Sequence, residues 1–216
     1  MARTADPRML DALLEATRTE FARHGPGQAR VEDIARRAGV SKGAFYLHFR
    51  SKEHAFEVIL QRFLGALEEH ARRRQDAERA AAPGPEAFER EVRWDADLLR
   101  LLWQNRQILA AVEGAGGRSW SRHVGAFRGR MRALVAARLG ERQAGGAMRR
   151  DLDASVVADL VLGAYEDVGR RLVEMRKPPD FDAWSRTILT VLHEGMVDRS
   201  RAPLADRSVS DSRSRR

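Results

Sequence analysis

The stretch VEDIARRAGVSKGAFYLHFRSKEHAFEVI, residues 31–59, decides the fold. It divides into a short amphipathic helix, a glycine turn, a second short helix and the start of a longer one. Val31, Ile34, Ala35 and Ala38 recur at i, i+3, i+4 and i+7, which places them on one helical face. Gly39 ends that helix, because glycine has no Cβ to clash in the left-handed conformation a helix end favours. Val40 can plug the core between the two helices. Ser41 is a good N-cap, since its hydroxyl accepts an orphan backbone N–H. Phe45 and Phe49, four residues apart, face inward. Lys42, Gly43 and Ala44 fill the first turn of the second helix, and the two small residues let the backbone approach a partner. Tyr46 and His48 lie on other faces. Ser51 caps the next helix, with Lys52 and Glu53 in its first turn. A lysine there opposes the helix dipole, which makes sense if an anion docks. The layout is a helix-turn-helix joined to a scaffold helix, in which the second helix enters the major groove of DNA.

At this point the sequence resembles the TetR family of bacterial transcriptional regulators. The residues that carry the resemblance are Phe21, Gly25, Val31, Asp33-Ile34-Ala35, Ala38-Gly39-Val40-Ser41-Lys42-Gly43, Phe45-Tyr46, His48-Phe49 and Ser51-Lys52-Glu53. It covers roughly residues 7–65. The resemblance implies an all-α fold: a three-helix DNA-binding domain followed by an all-helical domain for effector binding and dimerisation. It further implies repression relieved by a small ligand. The DNA contacts it implies are Arg30, Ser41, Lys42, Gly43, Ala44, Tyr46, Leu47, His48 and Lys52. Three positions depart from the family's habit. Arg30 replaces the usual Ser or Thr cap, Pro26 replaces the aromatic that usually follows Gly25, and Leu47 replaces an aromatic or polar contact residue.

The charge of the 216-residue chain is unevenly spread around its net +8. Residues 1–75 carry 14 Lys and Arg against 10 Asp and Glu, and residues 199–216 carry 6 against 2, whereas residues 76–198 balance at 19 each. The positive excess thus sits at the two ends, one of them holding the helix-turn-helix. Two of the three lysines, Lys42 and Lys52, fall in the motif, the third being Lys177. There is no cysteine, which excludes disulfides and thiolate metal sites. No apolar run approaches membrane-spanning length and no signal-peptide pattern opens the chain. A cytoplasmic location is therefore expected.

Three divisions are expected: a DNA-binding domain over 1–52, a helical effector-binding and dimerisation domain over 53–198, and a disordered basic tail over 199–216. Residues 1–6 read as a basic arm, and Asp6-Pro7 as the start of a first helix that ends near His24-Gly25. Later helices are expected over about 52–75, with Arg72-Arg73-Arg74 on its polar distal part, then 86–105, on to 112, and 119–140. Two more follow, one capped by Asp153 and stopped by Pro178-Pro179, the other capped by Asp180. Pro83-Gly84-Pro85 and Gly145-Gly146 mark breaks.

The last two helices read as an apolar hairpin that would make a four-helix bundle with a second copy, through Val157, Val161, Val168, Trp184, Ile188 and Val191. Packing within one chain would account for the same faces. Trp94, Trp103, Trp120, Phe127, Met131 and Tyr165 are candidates to line an effector pocket, with Glu166 as a charge for a cationic ligand. Taken singly, each aromatic or Met is explained as well by core packing, and Glu166 by a solvated face. Arg128, Arg130 and Arg132 read as an exposed face.

An enzyme is not expected. The six histidines form no His-x-x-x-His or Glu-x-x-His pair, and there is no P-loop or Gly-x-Ser-x-Gly elbow. No cofactor and no metal are implied. The expected partners are a double-stranded DNA operator, a second copy of the chain and a small effector of unknown identity. A transcriptional activator of the same fold is one alternative, and a degenerate relative acting through protein partners is another.

Overall fold

The computed structural model describes residues 7–81, 84, 86–113 and 117–196. The arm at 1–6, including Asp6, the breaker prolines Pro83 and Pro85, and the tail at 199–216 lie outside the described residues. The described chain is all-α, with helices α1 (Pro7–Gln28), α2 (Val31–Arg37), α3 (Lys42–His48), α4 (Lys52–Ala80) and α5 (Ala87–Gln104), then α6 (Arg106–Glu113), α7 (Gly117–Ala144), α8 (Ala154–Glu174) and α9 (Phe181–Met196).

Local chemistry explains most of these boundaries. Gly25 takes φ 71° and ψ 161°, which ends the first long run of α1. Pro26 then opens one extra turn, closed by a bond from the Ala29 N–H to the Gly25 carbonyl at 3.1 Å. Asp153 accepts from the Ser155 and Val156 N–H groups at 2.8 and 3.3 Å, and Asp180 accepts from the Ala183 N–H at 3.0 Å. Both carboxylates therefore cap their helices as the sequence suggests. Helix α4 runs past Gln75 to Ala80. Ion pairs Glu69–Arg73 and Arg74–Glu78 at i, i+4 support its distal turns, and Arg79 reaches Glu141 on α7.

One main core joins the N-terminal helices to the C-terminal body, beside a smaller cluster of Leu139, Met148 and Ala158. Leu13, Phe21, Ile34, Phe45, Phe56 and Leu60 belong to the same buried cluster as Leu99, Ile108, Trp120 and Leu172. Helix α1 packs on α2, α4 and α6, so the N-terminal helices rest directly on the C-terminal body. The expected hairpin of the last two helices is corrected. Helix α9 lies along α5, and α8 lies along α7 and also meets α6. Arg171 of α8 does reach across to α9, with its guanidinium 5.0 Å from the Trp184 ring centre.

Candidate nucleic-acid interface

Helices α2 and α3 are fixed to each other by backbone devices. The Val40 N–H donates to the Ala35 carbonyl at 3.0 Å and the Gly39 N–H to the Arg36 carbonyl at 3.1 Å. This paired closure, with Gly39 at φ 71°, is a Schellman motif. The Ser41 hydroxyl accepts from the Ala44 N–H at 3.1 Å and so caps α3. Beneath them Ile34 and Phe45 are fully buried, and Phe45 packs on Phe49 with ring centres 5.5 Å apart. Glu20 of α1 is buried and accepts from Arg37 Nε at 2.6 Å, which ties α2 to α1.

This frame leaves one face of α3 in water. Lys42, Gly43, Tyr46 and Leu47 are exposed, and Ser41 and Arg30 flank them, also exposed. Leu47 is 79% exposed and Tyr46 49%. Leu47 contributes nothing to the core and Tyr46 only an edge-on contact with Phe45, so both are available to a partner. Ala44 and His48 are half-buried at the edge of this face. Lys42 Nζ pairs with Glu32 Oε1 at 2.5 Å. The hydrogen bond raises the lysine above its ordinary range and lowers the glutamate, so both are charged at neutral pH. Arg30 precedes α2 without a side-chain cap bond, as the missing Ser or Thr implies.

Lys52 has a more internal role than a surface lysine. Its Nζ donates to the Gly27 carbonyl at 3.1 Å and the Ala29 carbonyl at 2.8 Å. It thereby fastens the turn after α1 to the start of α4, where Ser51 accepts from the His54 N–H at 3.1 Å.

The residues expected to line an effector pocket are spread over several environments. Trp120, at the start of α7, is buried against Phe56 at 4.5 Å and Phe21 at 6.4 Å between ring centres. It therefore joins α7 to α1 and α4. Trp103 stacks under Arg106 at 4.0 Å, and Trp94 meets the His70 ring edge-on at 5.3 Å. Phe127 and Met131 on α7 are partly buried. Glu166 is exposed and paired with Arg128. Arg130 and Arg132 are exposed too, and their pairs with Glu68 and Asp159 tie α7 to α4 and α8. Tyr165 of α8 donates its hydroxyl to Asp95 of α5. Asp95 is fully buried; burial pushes its carboxyl up, while the Tyr165 bond works the other way. The buried Ser185 hydroxyl of α9 faces the same carboxyl and works with Tyr165 in lowering it.

Sequence reasoning missed the charged interior beside this pair. Arg74 and Arg138 share Glu78, while Arg142, His193 and Arg74 share Glu91. Burial alone would raise the Glu91 carboxyl, but the His193 hydrogen bond and the Arg142 and Arg74 charges hold it at about 2. Four helices, α4, α5, α7 and α9, meet in this network. Only the Arg74–Glu78 pair shows as an i, i+4 spacing within one helix; the contacts of Glu78 with Arg138 and of Glu91 with Arg74, Arg142 and His193 join different helices.

Of the residues expected at a dimer face, Val191 is 68% exposed. Val168, Trp184 and Ile188 are partly buried against the chain's own core, and Val157 against the smaller cluster of Leu139, Met148 and Ala158. Val161 is half-buried. Val156 and Leu160, outside that set of six, stand 54% and 67% exposed on α8. Their i, i+4 spacing was the available signal.

Residues 13–59 match the family model described as bacterial regulatory proteins, tetR family. The HTH-type transcriptional repressor KstR2 of Mycolicibacterium smegmatis is 44% identical over 54 residues, which cover 25% of this chain and 26% of that protein. The uncharacterized HTH-type transcriptional regulator YerO of Bacillus subtilis is 42% identical over 45 residues, 21% of this chain and 16% of that one. The chain thus spans about a quarter or less of the length of these two relatives. In fold the likeness extends further. The ketosteroid transcriptional regulator KstR2 of Mycobacterium tuberculosis superposes with a TM-score of 0.65 at 21% identity, over 88% of this chain and 95% of that one. The fatty acid degradation regulator FadR of Bacillus halodurans does so with a TM-score of 0.67 at 20% identity, over 87% and 95%.

Proposed function

We propose that this chain, which belongs to the TetR family of bacterial regulatory proteins, is a cytoplasmic repressor that binds a palindromic operator as a homodimer and is released by a small effector. The observation that carries the reading is the exposed face of α3, held rigid by the Gly39 turn and the Ser41 cap. In this reading Tyr46, Leu47, Gly43 and Ala44 meet base edges and sugar, and Lys42, Ser41, Arg30 and His48 meet phosphates. Lys52 spends two of its three donors on the chain's own carbonyls and faces Glu53 at 3.8 Å, so a phosphate would meet its third donor in competition with that carboxylate. The DNA-binding domain ends at about residue 52, and the rest of α4 belongs to the body.

A second copy docks on the exposed apolar stripe of Val156 and Leu160 on α8, together with Val191 on α9. Two α3 helices then meet successive major grooves about 34 Å apart or a multiple of it. An effector held among Trp94, Phe127, Met131 and Tyr165 would favour a conformer with the wrong spacing. To empty the operator it must bind that conformer far more tightly than the DNA-fitting one.

The test is a gel shift with the duplex upstream of the chain's own gene, with and without competitor DNA, at two salt concentrations. A discrete, competitor-resistant complex is expected, weakened by salt as phosphate contacts release counterions. Tyr46→Ala should weaken it by tenfold or more while sizing shows an unchanged dimer. Unchanged affinity in that variant would show that the α3 face is not the reader.

A further inference from the structure

A cleft of about 350 Å³ opens where α1, α4 and α6 meet. Its floor is apolar, formed by Leu14, Ile59, Phe63, Ala66 and Ile108. Its rim is polar. Arg62 pairs with Asp11 at 3.1 Å, Arg18 pairs with Glu15 at 2.7 Å, and Asn105 stands at the α6 end. The volume lies in the range that holds small organic ligands. The cleft shares no lining residue with the effector pocket proposed around Tyr165.

Arg18 gives the cleft a chemical preference. Nε and Nη2 form one edge of a guanidinium, the edge that grips a carboxylate with two parallel hydrogen bonds. Glu15 takes only Nη2. Nε is buried and has no hydrogen-bond partner among the described residues. An unsatisfied buried donor is costly, and a ligand that satisfies it gains accordingly. The Glu15 side chain is 60% exposed, and such exposed pairs contribute little, so a competing anion can displace it.

We propose that this cleft is a binding site for an amphipathic monocarboxylate: an apolar body over Leu14, Phe63 and Ile108, and a carboxylate on the Nε and Nη2 edge of Arg18. The site is separate from the effector pocket proposed above. Because α1 and α4 carry the helix-turn-helix and α6 belongs to the body, an occupant bridges the two. Binding itself does not depend on the DNA-binding reading, and it is measured without DNA, so the two can fail separately.

The experiment is calorimetric titration of the full-length chain with decanoate and, as a charge control, with decyltrimethylammonium. Decanoate should bind with one site per chain and the cation at least tenfold more weakly. Arg18→Gln should weaken decanoate at least tenfold, and Arg18→Lys, which keeps the charge but loses the fork, should fall between. Ala66 is exposed within the cleft, so Ala66→Phe should fill it without disturbing the core and abolish binding. Circular dichroism checks that each variant is folded, and Ala66→Met replaces any Phe variant that is not. Absence of decanoate binding would overturn the proposal. So would equal binding of the cation, or undiminished binding to the folded Ala66 variant.

Discussion

The helix-turn-helix and the C-terminal body are held together by different physics. Between α2 and α3 the fixing devices are mostly bonds between near neighbours, the Gly39 closure and the Ser41 cap over a small apolar core, with one part-buried charge pair, Glu20–Arg37, tying α2 to α1. In the body, Arg74, Glu78, Glu91, Arg138, Arg142 and His193 bring charge from four helices into a partly buried network. Local devices tolerate the loss of one member at modest cost. A shared buried charge network does not, because removing one member leaves the others unpaired in a poor solvent for ions.

The comparison breaks most readily at Glu91. Its carboxyl is held at about 2 against an ordinary 4.5, which corresponds to about 3 kcal/mol of differential stabilisation. Glu91→Gln should lower unfolding free energy at pH 7 by roughly that amount, read from urea denaturation. A loss below about 1 kcal/mol would mean that solvent screens the network. The same carboxyl sets a pH dependence. Its folded value is depressed, so its contribution is present above about pH 4.5 and is lost as pH falls toward about 2. Acid unfolding of the parent should steepen in that window, and the slope should be smaller in Glu91→Gln.

Smaller effects belong to the motif. Gly39→Ala forces a Cβ into φ 71° and should cost about 1–2 kcal/mol. Ser41→Ala removes the α3 cap and should cost about 1 kcal/mol. Hydrogen exchange should place the Ser41→Ala loss in α3, with α5 to α9 protected as before; a loss spread over the body would mean that the cap is not a local device. Smallest of all is Leu47→Ser, expected within about 0.5 kcal/mol of the parent in stability because Leu47 touches no core. Its effect should appear in DNA affinity instead.

The same contrast explains what the sequence revealed. Gly39, Ser41, Asp153 and Asp180 act on neighbours within a few residues, so their roles are visible in the linear order. Phe45 and Phe49 are inward for the same reason. Arg74 shows the limit. Within Arg72-Arg73-Arg74 it looks like its neighbours, and although Glu78 stands four residues along the same helix, only the fold reveals that Arg74 turns in toward Glu91. Trp120 read as pocket lining because an aromatic on a helix carries no address; its contacts with Phe21 and Phe56 join segments far apart in the chain. The expected hairpin of α8 and α9 failed similarly. Apolar faces can be read from spacing, but α5 and α7 compete for them, and periodicity does not choose between rivals.

The outer face of α3 has an evolutionary consequence. Tyr46 and Leu47 project from a helix whose position is fixed by residues on its other sides. Substitutions at Leu47 above all, which is 79% exposed, are therefore close to neutral for folding while they alter whatever the face touches. A lineage carrying this domain can drift to new recognition without first acquiring compensating stability, a freedom that Glu91 and its partners do not have.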